Sequence, residues 1–521
     1  MPTGAHSSRL RRNVVANMVG RAASAVLWIA ATPFVLHGLG AERFAVWALF
    51  FVLNGYVLTL DFGAHGVSRF LAAVSARGNR FEARRVLLRS VTLSFGLGLM
   101  WAAVCLLSRG LFLDFFHIPA ALQGEVRTSL AVFALSLMLF MISQVLLGGL
   151  VGLQRLDLSN LYMLIGLSVH LAVVMAAVSR GYGLVGAAAG AVAGHMTTSV
   201  LSALSLRAGL ARMPEGDHPD RFSWRDLLSY GIMLQAANVL GVSQMQAGKV
   251  LLGTLGQLVW VTQYELGFRV TNALWALSTL IQGAVVPAAA HAVEVGGTAE
   301  ARKLYEWCCR WVVSVGAYVL GLVGAAAPAI FTLWLGSPHP DTISVARWIA
   351  VGFAFSTLVG PLTAIARGIG SPWYEALNFA IALAVNVGAA VFLIPRYGAN
   401  GAGMAMAISF LVATIVLVTL FHRRIGIATG PWLSRIAVPR LLPAAAAAIG
   451  VGLLGDRWRL DSRTEAFFAA AAEGTLYTLI FVAATWPTGD AKTLLLKGRV
   501  WLGRAAQSMG RNPGTEHRQD S

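Results

Sequence analysis

The feature that most constrains this chain is its succession of long apolar segments. About fourteen runs of roughly 18–30 residues, each poor in charge, follow one another along the sequence. They begin near Asn13, Phe44, Val86, Thr128, Leu158, Leu184, Leu227, Gln257, Leu304, Ile343, Trp373, Gly401, Ile436 and Ala466. As helices, segments of this length span the ~30 Å hydrocarbon core of a bilayer with every backbone group bonded inside the segment. The ten-residue alternation of a membrane barrel is absent. Composition agrees: of 521 residues, 57% are hydrophobic and 12% charged, and the mean hydropathy is +0.68. Soluble domains carry about 25% charged residues. A soluble enzyme, a disordered chain and a disulfide scaffold are excluded. Cys105, Cys308 and Cys309 are too few for a framework and lack metal-ligand spacing. The expected fold class is an all-α membrane protein with about fourteen transmembrane helices.

The formal charge of +17 resembles a nucleic-acid footprint, but its distribution points elsewhere. With the N-terminus in the cytoplasm and sides alternating, inner segments hold about 28 Lys/Arg and outer ones about 9. The inner set includes Arg77, Arg80, Arg84, Arg85 and Arg89, then Arg423, Arg424, Arg435 and Arg440, then the tail from Lys492 to Arg518. This bias places both termini inside and sets the basic runs beside anionic lipid, with no nucleic-acid partner. Arg9, Arg11 and Arg12 precede a first segment too long for a signal peptide, which is read as a retained helix.

The chain also resembles itself. His37-Gly38-Leu39-Gly40-Ala41 aligns with Gly253-Thr254-Leu255-Gly256-Gln257, and Glu82-Ala83-Arg84-Arg85-Val86 with Glu300-Ala301-Arg302-Lys303-Leu304. Tyr182-Gly183 aligns with Tyr397-Gly398. The common offset is about 216 residues. Each copy holds six helices, an even number, so the repeat is parallel, about an axis along the membrane normal. The expected organisation is a cytoplasmic N-terminus (1–12), an N-lobe (13–210), a cytoplasmic linker (211–226) and a C-lobe (227–424) facing it across a central cleft. An extra helical hairpin (436–485) and a cytoplasmic tail (486–521) follow. Gly181-Tyr182-Gly183-Leu184-Val185-Gly186 is a formal G-x-G-x-x-G, but it lacks a preceding strand and belongs to a repeated turn.

No P-loop, H-E-x-x-H or G-x-S-x-G is present, so no ATP site, metal, cofactor or catalytic residue is expected. His170 and His195 are expected to satisfy buried hydrogen bonds. The informative residues are charges inside apolar segments, each costing a few kcal/mol at the bilayer centre unless it meets a partner or water. They are Arg21 and Asp61, at similar depth in helices 1 and 2, and Lys249, Glu265 and Arg269, the last two at i,i+4 on helix 8. Two arrangements satisfy this set. In one, Arg21–Asp61 and Glu265–Arg269 are neutral bracing pairs and Lys249 snorkels outward. In the other, the five line a cavity of net charge +1 whose guanidinium forks suit a phosphate or pyrophosphate. Polar side chains that fit a wet cleft, or interhelical hydrogen bonds, include Asn54, Gln235, Asn238, Gln244, Gln246, Asn272, Asn378 and Asn386.

Asn17-x-x-Gly20, Pro33, Leu39-Gly40-Ala41-Glu42-Arg43-Phe44, Trp47, Leu60-Asp61-Phe62-Gly63 and Arg69 together resemble the start of polysaccharide-transport flippases. These belong to the multidrug/oligosaccharidyl-lipid/polysaccharide exporter (MOP) superfamily. The resemblance implies alternating-access movement of an oligosaccharide on undecaprenyl pyrophosphate across the bacterial inner membrane, in O-antigen or exopolysaccharide synthesis. It also implies cationic cavity residues, which Arg21 and Arg269 match by type and place, and Asp61 falls in the family's Asp-x-Gly. Lys249 has no such match. Partners would be the lipid-linked oligosaccharide, membrane lipids and a polymerase or glycosyltransferases. One alternative is a cation-coupled multidrug exporter, which would need unpaired acids. Another is a membrane polymerase or acyltransferase, of which the polymerase would need a large outer loop.

Overall fold

The computed structural model describes residues 4–59, 62–215, 224–279 and 282–489, with side chains except at 4–19, 21, 62–65, 224–236, 282–284 and 287. Asp61, the side chains of Arg21 and Gln235, and the tail from 490 lie outside the described residues. Among the described residues every regular element is a helix. In order they are α1 (Gly4–Leu39), α2 (Ala41–Thr59), α3 (Phe62–Arg77), α4 (Arg80–Leu107), α5 (Arg109–Phe115), α6 (Ala120–Gly152), α7 (Leu156–Ser179), α8 (Gly183–Ala211) and α9 (Trp224–Leu255). There follow α10 (Leu258–Thr279), α11 (Gln282–Leu335), α12 (Pro340–Gly368), α13 (Trp373–Tyr397), α14 (Ala399–Ile425), α15 (Thr429–Trp432), α16 (Val438–Gly455) and α17 (Arg463–Thr485).

Among the described residues, 12 helices are long and apolar enough to cross a membrane, and the protein is a multi-span membrane protein. All the expected apolar segments fall in helices. Two of them, α9 and α10, are not among the 12. These helices carry Gln244, Gln246 and Lys249, and Gln263, Glu265, Arg269 and Asn272, which lower their mean hydropathy. Of the segment expected as one helix 2 through Arg69, the described residues on either side of 60–61 are helical, as α2 to Thr59 and α3 from Phe62. In α11 the chain turns at Gly297, where φ is +64°, a conformation that a side chain disfavours.

The chain forms two compact units. One comprises Met1–Ala273, Ser344–Ile349 and Pro372–Ala413. Its α7 and α8 approach closely because the contact residues are small: a Cβ on Gly194 would stand 2.7 Å from the Gly166 carbonyl oxygen. The aligned turns share a geometry, with φ of +51° at Gly183 and +55° at Gly398. Glu125 crosses from α6 to accept from the Leu184 N–H at 2.8 Å at the start of α8, and from Arg43 Nε at 2.8 Å. That carboxylate satisfies one of the amides a helix N-terminus leaves free.

The other unit comprises Leu274–Ile343, Ala350–Ser371 and Thr414–Ser521. Ala317 and Ala325 of α11, Ala444, Ala447 and Ala448 of α16, and Tyr477 and Phe481 of α17 share one core. Small residues let the backbones draw close where lipid offers no hydrophobic drive. Arg440, read from the sequence as a cytoplasmic surface charge, is 2% exposed. Its guanidinium donates to Ser314 Oγ at 2.9 Å and to the Ile436 and Arg435 carbonyls at 2.7 and 3.1 Å. Those carbonyls belong to a π-helical turn over Leu433–Ala437, where widening of the helix presents oxygens to the side chain. The long alkyl stem reaches back into the bundle and the head bonds where it lands.

Candidate functional site

The site lies in the first unit, on α9 and α10. Both helices leave the turn at Gly256, so residues equally far from it in sequence lie at similar depth. Lys249 is seven positions before that glycine and Glu265 nine after it, and their side chains meet. The Lys249 ammonium is 3.0 Å from Glu265 Oε2. The contact is an ion pair whose angles are not those of an aligned hydrogen bond. One turn further along α10, Arg269 Nη2 and Nε donate to Glu265 Oε1 at 2.7 and 3.2 Å. The side chains of Lys249, Glu265 and Arg269 are 5%, 8% and 12% exposed. A single carboxylate therefore serves two cations, and the triad keeps one excess positive charge in the interior of the protein.

The rest of the Arg269 guanidinium is also occupied. Nη1 donates to Thr32 Oγ1 at 2.7 Å, and the Thr32 hydroxyl donates to the Trp28 carbonyl at 2.6 Å. Pro33 follows at once inside α1, where it brings no N–H to the helix ladder. The rings of Trp28, Trp47 and Phe44 lie 5.3, 5.8 and 5.9 Å from the guanidinium carbon. The negative faces of aromatic rings attract a cation at such distances by ~0.5–2 kcal/mol. The rings hold one another in turn: Trp28 and Trp47 centroids are 5.7 Å apart, and Phe51 packs edge-on to both. Lys249 sits 5.5 Å from the Phe268 ring. The cage offsets part of the cost of burying the excess charge and leaves that charge uncompensated by any acid of the triad.

Of the residues singled out in the sequence, Lys249, Glu265 and Arg269 come together. The outward-snorkelling alternative for Lys249 does not hold: the ammonium turns inward because Glu265 lies opposite it across the helix pair. Asn272 is half-buried on α10, three positions after Arg269 and so on the same side of the helix. Asn54 is half-buried, and its side-chain oxygen has no hydrogen-bond partner among the described residues. Asn238 is exposed on α9. The side chains of Arg21 and Gln235, and Asp61, lie outside the described residues, so the expected Arg21–Asp61 pairing does too. Other polar residues form a seam between helices. Gln244 Nε2 donates to Ser409 Oγ at 3.0 Å, and Asn386 Nδ2 donates to Gln244 Oε1 at 3.3 Å.

His170 departs from expectation. Its Nε2 has no hydrogen-bond partner among the described residues. The ring packs edge-on to Trp28 at 5.5 Å. His195 packs against Phe140 at 5.1 Å. Sequence reasoning missed Thr32 and the rings of the cage. The spacing of Trp28 and Thr32, at i,i+4 on one helix face, was the available signal. Nothing local tied that face to Arg269.

No protein-family model matches the chain. The chain is similar to a Shigella flexneri protein assigned by name as an O-antigen transporter, with 21% identity over 419 residues, covering 79% of this chain and 97% of that protein. Among solved structures, it is similar to an inward-facing multidrug resistance MATE family transporter of the MOP superfamily, with a TM-score of 0.67 at 19% identity. That match covers 77% of this chain and 94% of the other. It is also similar to the lipid II flippase MurJ in an inward closed conformation, with a TM-score of 0.68 at 10% identity, covering 90% of this chain and 98% of MurJ. The all-helical membrane fold is therefore the one these transporters share, and the resemblance read from the sequence is borne out.

Proposed function

We propose that this protein is a flippase that moves a lipid-linked oligosaccharide, carried on undecaprenyl pyrophosphate, from the inner to the outer leaflet of the bacterial inner membrane for cell-surface polysaccharide synthesis. The observation that carries the reading is the buried triad of Lys249, Glu265 and Arg269 with its one excess positive charge. An ion buried without compensation costs several kcal/mol even after the protein relaxes. A site that keeps such a charge is matched to an anion that arrives. A diphosphate supplies it, and its charged oxygens are strong acceptors for a guanidinium. The same charge opposes organic cations and so disfavours the multidrug-exporter alternative. The similarity to a protein assigned to O-antigen transport supports the choice of cargo.

In this reading residues 13–210 and 227–424 are two parallel lobes that rock about the site, with both termini cytoplasmic. The like-handed turns at Gly183 and Gly398 support the duplication. The pyrophosphate and sugars travel in the cleft between the lobes, because crossing hydrocarbon would leave many polar groups unsatisfied at several kcal/mol each. The lipid tail stays in the bilayer. An inside-negative potential drives negative charge outward by ~2.3 kcal/mol per charge per 100 mV. A polymerase and glycosyltransferases would act before and after it on the same glycolipid.

The test is export of surface glycan in cells carrying Arg269 variants. Arg269→Ala is expected to abolish export with the protein still in the membrane, and Arg269→Lys to restore it partly, since an ammonium lacks the bidentate fork. Full export by Arg269→Ala would remove the anion-binding role.

A further inference from the structure

Arg269 does more than face the site. It ties α10 to α1, and a second bond nearer the turn ties α10 to the first residue of α2: Thr262 Oγ1 donates to the Ala41 carbonyl at 2.6 Å. Along α10, Arg269 lies seven positions beyond Thr262, and Thr32 lies nine positions before Ala41 in sequence, across the Gly40 turn. At 1.5 Å per residue the two bonds are roughly 10–13 Å apart in depth. They close one end of this unit like the rungs of a ladder. The same end is tightened where Gly253 of α9 meets Phe116: a Cβ there would stand 2.6 Å from the ring. The two rungs differ in chemistry. The rim bond joins a hydroxyl to a peptide carbonyl and is indifferent to ions. The deep bond spends one arm of a guanidinium on a neutral hydroxyl.

We propose that the Arg269–Thr32 contact is a latch, which holds closed the end where the α1–α2 and α9–α10 turns lie and is released by an anion that takes Thr32's place on the guanidinium. A phosphate or pyrophosphate oxygen is the stronger acceptor, because its negative charge adds Coulomb attraction to the guanidinium that a neutral hydroxyl lacks. Arg269 keeps Nε and Nη2 on Glu265, so the exchange occurs at Nη1 without unbuilding the triad. With the deep rung gone, the neutral rim bond still ties α10 to the start of α2, and α1 loses its charged tie to α10. An empty site thus stays shut at this end, and a loaded one opens. The inference rests on the reading above for the identity of that end as the outer one and for the anion. The latch itself rests on the contacts.

Spin labels at Glu42→Cys and Gln257→Cys, both exposed beside the turns, read the separation in proteoliposomes. Cys105, Cys308 and Cys309 are replaced by alanine in the labelled protein. Thr32→Val keeps the side-chain shape and removes the acceptor. Without ligand it is expected to raise the separated population about tenfold, the worth of one hydrogen bond to a charged group. Thr32→Ser is expected to behave as the parent, which a packing defect would not do. Inorganic pyrophosphate is expected to raise the separated population in the parent and to add little in Thr32→Val. Identical distance distributions in the parent and Thr32→Val overturn the latch. An opened Thr32→Val alongside a parent that binds labelled pyrophosphate yet stays closed overturns the release by anion. Failure of the substrate reading appears separately, as no binding of labelled pyrophosphate, and the ligand-free comparison still decides the latch.

Discussion

Charge counting in the triad makes a prediction that packing alone would not. The native Lys249, Glu265 and Arg269 sum to +1. Lys249→Met brings the sum to zero and leaves Glu265 bonded through both Arg269 contacts, at 2.7 and 3.2 Å. The carboxylate keeps a partner, so the stability cost is expected to stay under about 1–2 kcal/mol. Glu265→Gln is different. It strands two buried cations on one neutral amide, and stranding a buried charge costs about 3–5 kcal/mol. The double variant Lys249→Met/Glu265→Gln returns to a single cation, Arg269, still held by Thr32 and the rings. Most of the loss is expected back, giving a coupling energy of about 2–4 kcal/mol in the double-mutant cycle. Unfolding in detergent measures stability, and glycolipid flipping measures transport. Lys249→Met is expected to fold and to flip poorly. The double variant is expected to flip better than Lys249→Met, although it carries one more substitution. Additive stabilities, or native flipping by Lys249→Met, would refute the excess-charge reasoning.

Other consequences concern orientation and the first helices. Reporter fusions after Gly110 and Asp461 should read outside, and fusions after Arg80 and Arg423 inside. The opposite pattern would reject the orientation drawn from the basic segments. If Arg21 only neutralises Asp61, the double change Arg21→Ala/Asp61→Ala leaves no orphan charge and restores export lost in either single variant. Under the substrate-binding reading the double variant stays inactive.

The helices were legible because membrane insertion demands long apolar runs, and each of the expected segments is helical in the structure. Glu265 and Arg269 were legible as a pair from i,i+4 spacing. The contact of Lys249 with Glu265 was legible in principle, by counting equal steps from the Gly256 turn. Arg440 misled the reading: beside Arg423, Arg424 and Arg435 it looks like one more cytoplasmic charge. Its acceptors are the Arg435 and Ile436 carbonyls of a π-helical turn and the hydroxyl of Ser314, 126 positions away. Thr32 and the aromatic cage needed the tertiary approach of α1 to α10, 237 residues apart for Thr32 and Arg269. No local pattern encodes that approach.

The central claim is tested most directly by flipping of a labelled lipid-linked oligosaccharide in proteoliposomes under a clamped potassium-diffusion potential. An inside-negative potential of 100 mV would assist two phosphate charges by up to about 4.6 kcal/mol if no charge moves back with them. The account predicts transfer of the glycolipid to the side that the field favours, at a rate that rises with voltage and falls in Arg269→Ala. Flipping that ignores voltage and requires a sodium or proton gradient would contradict the potential-driven cycle. No glycolipid transfer under any gradient, with export of organic cations instead, would contradict the flippase itself.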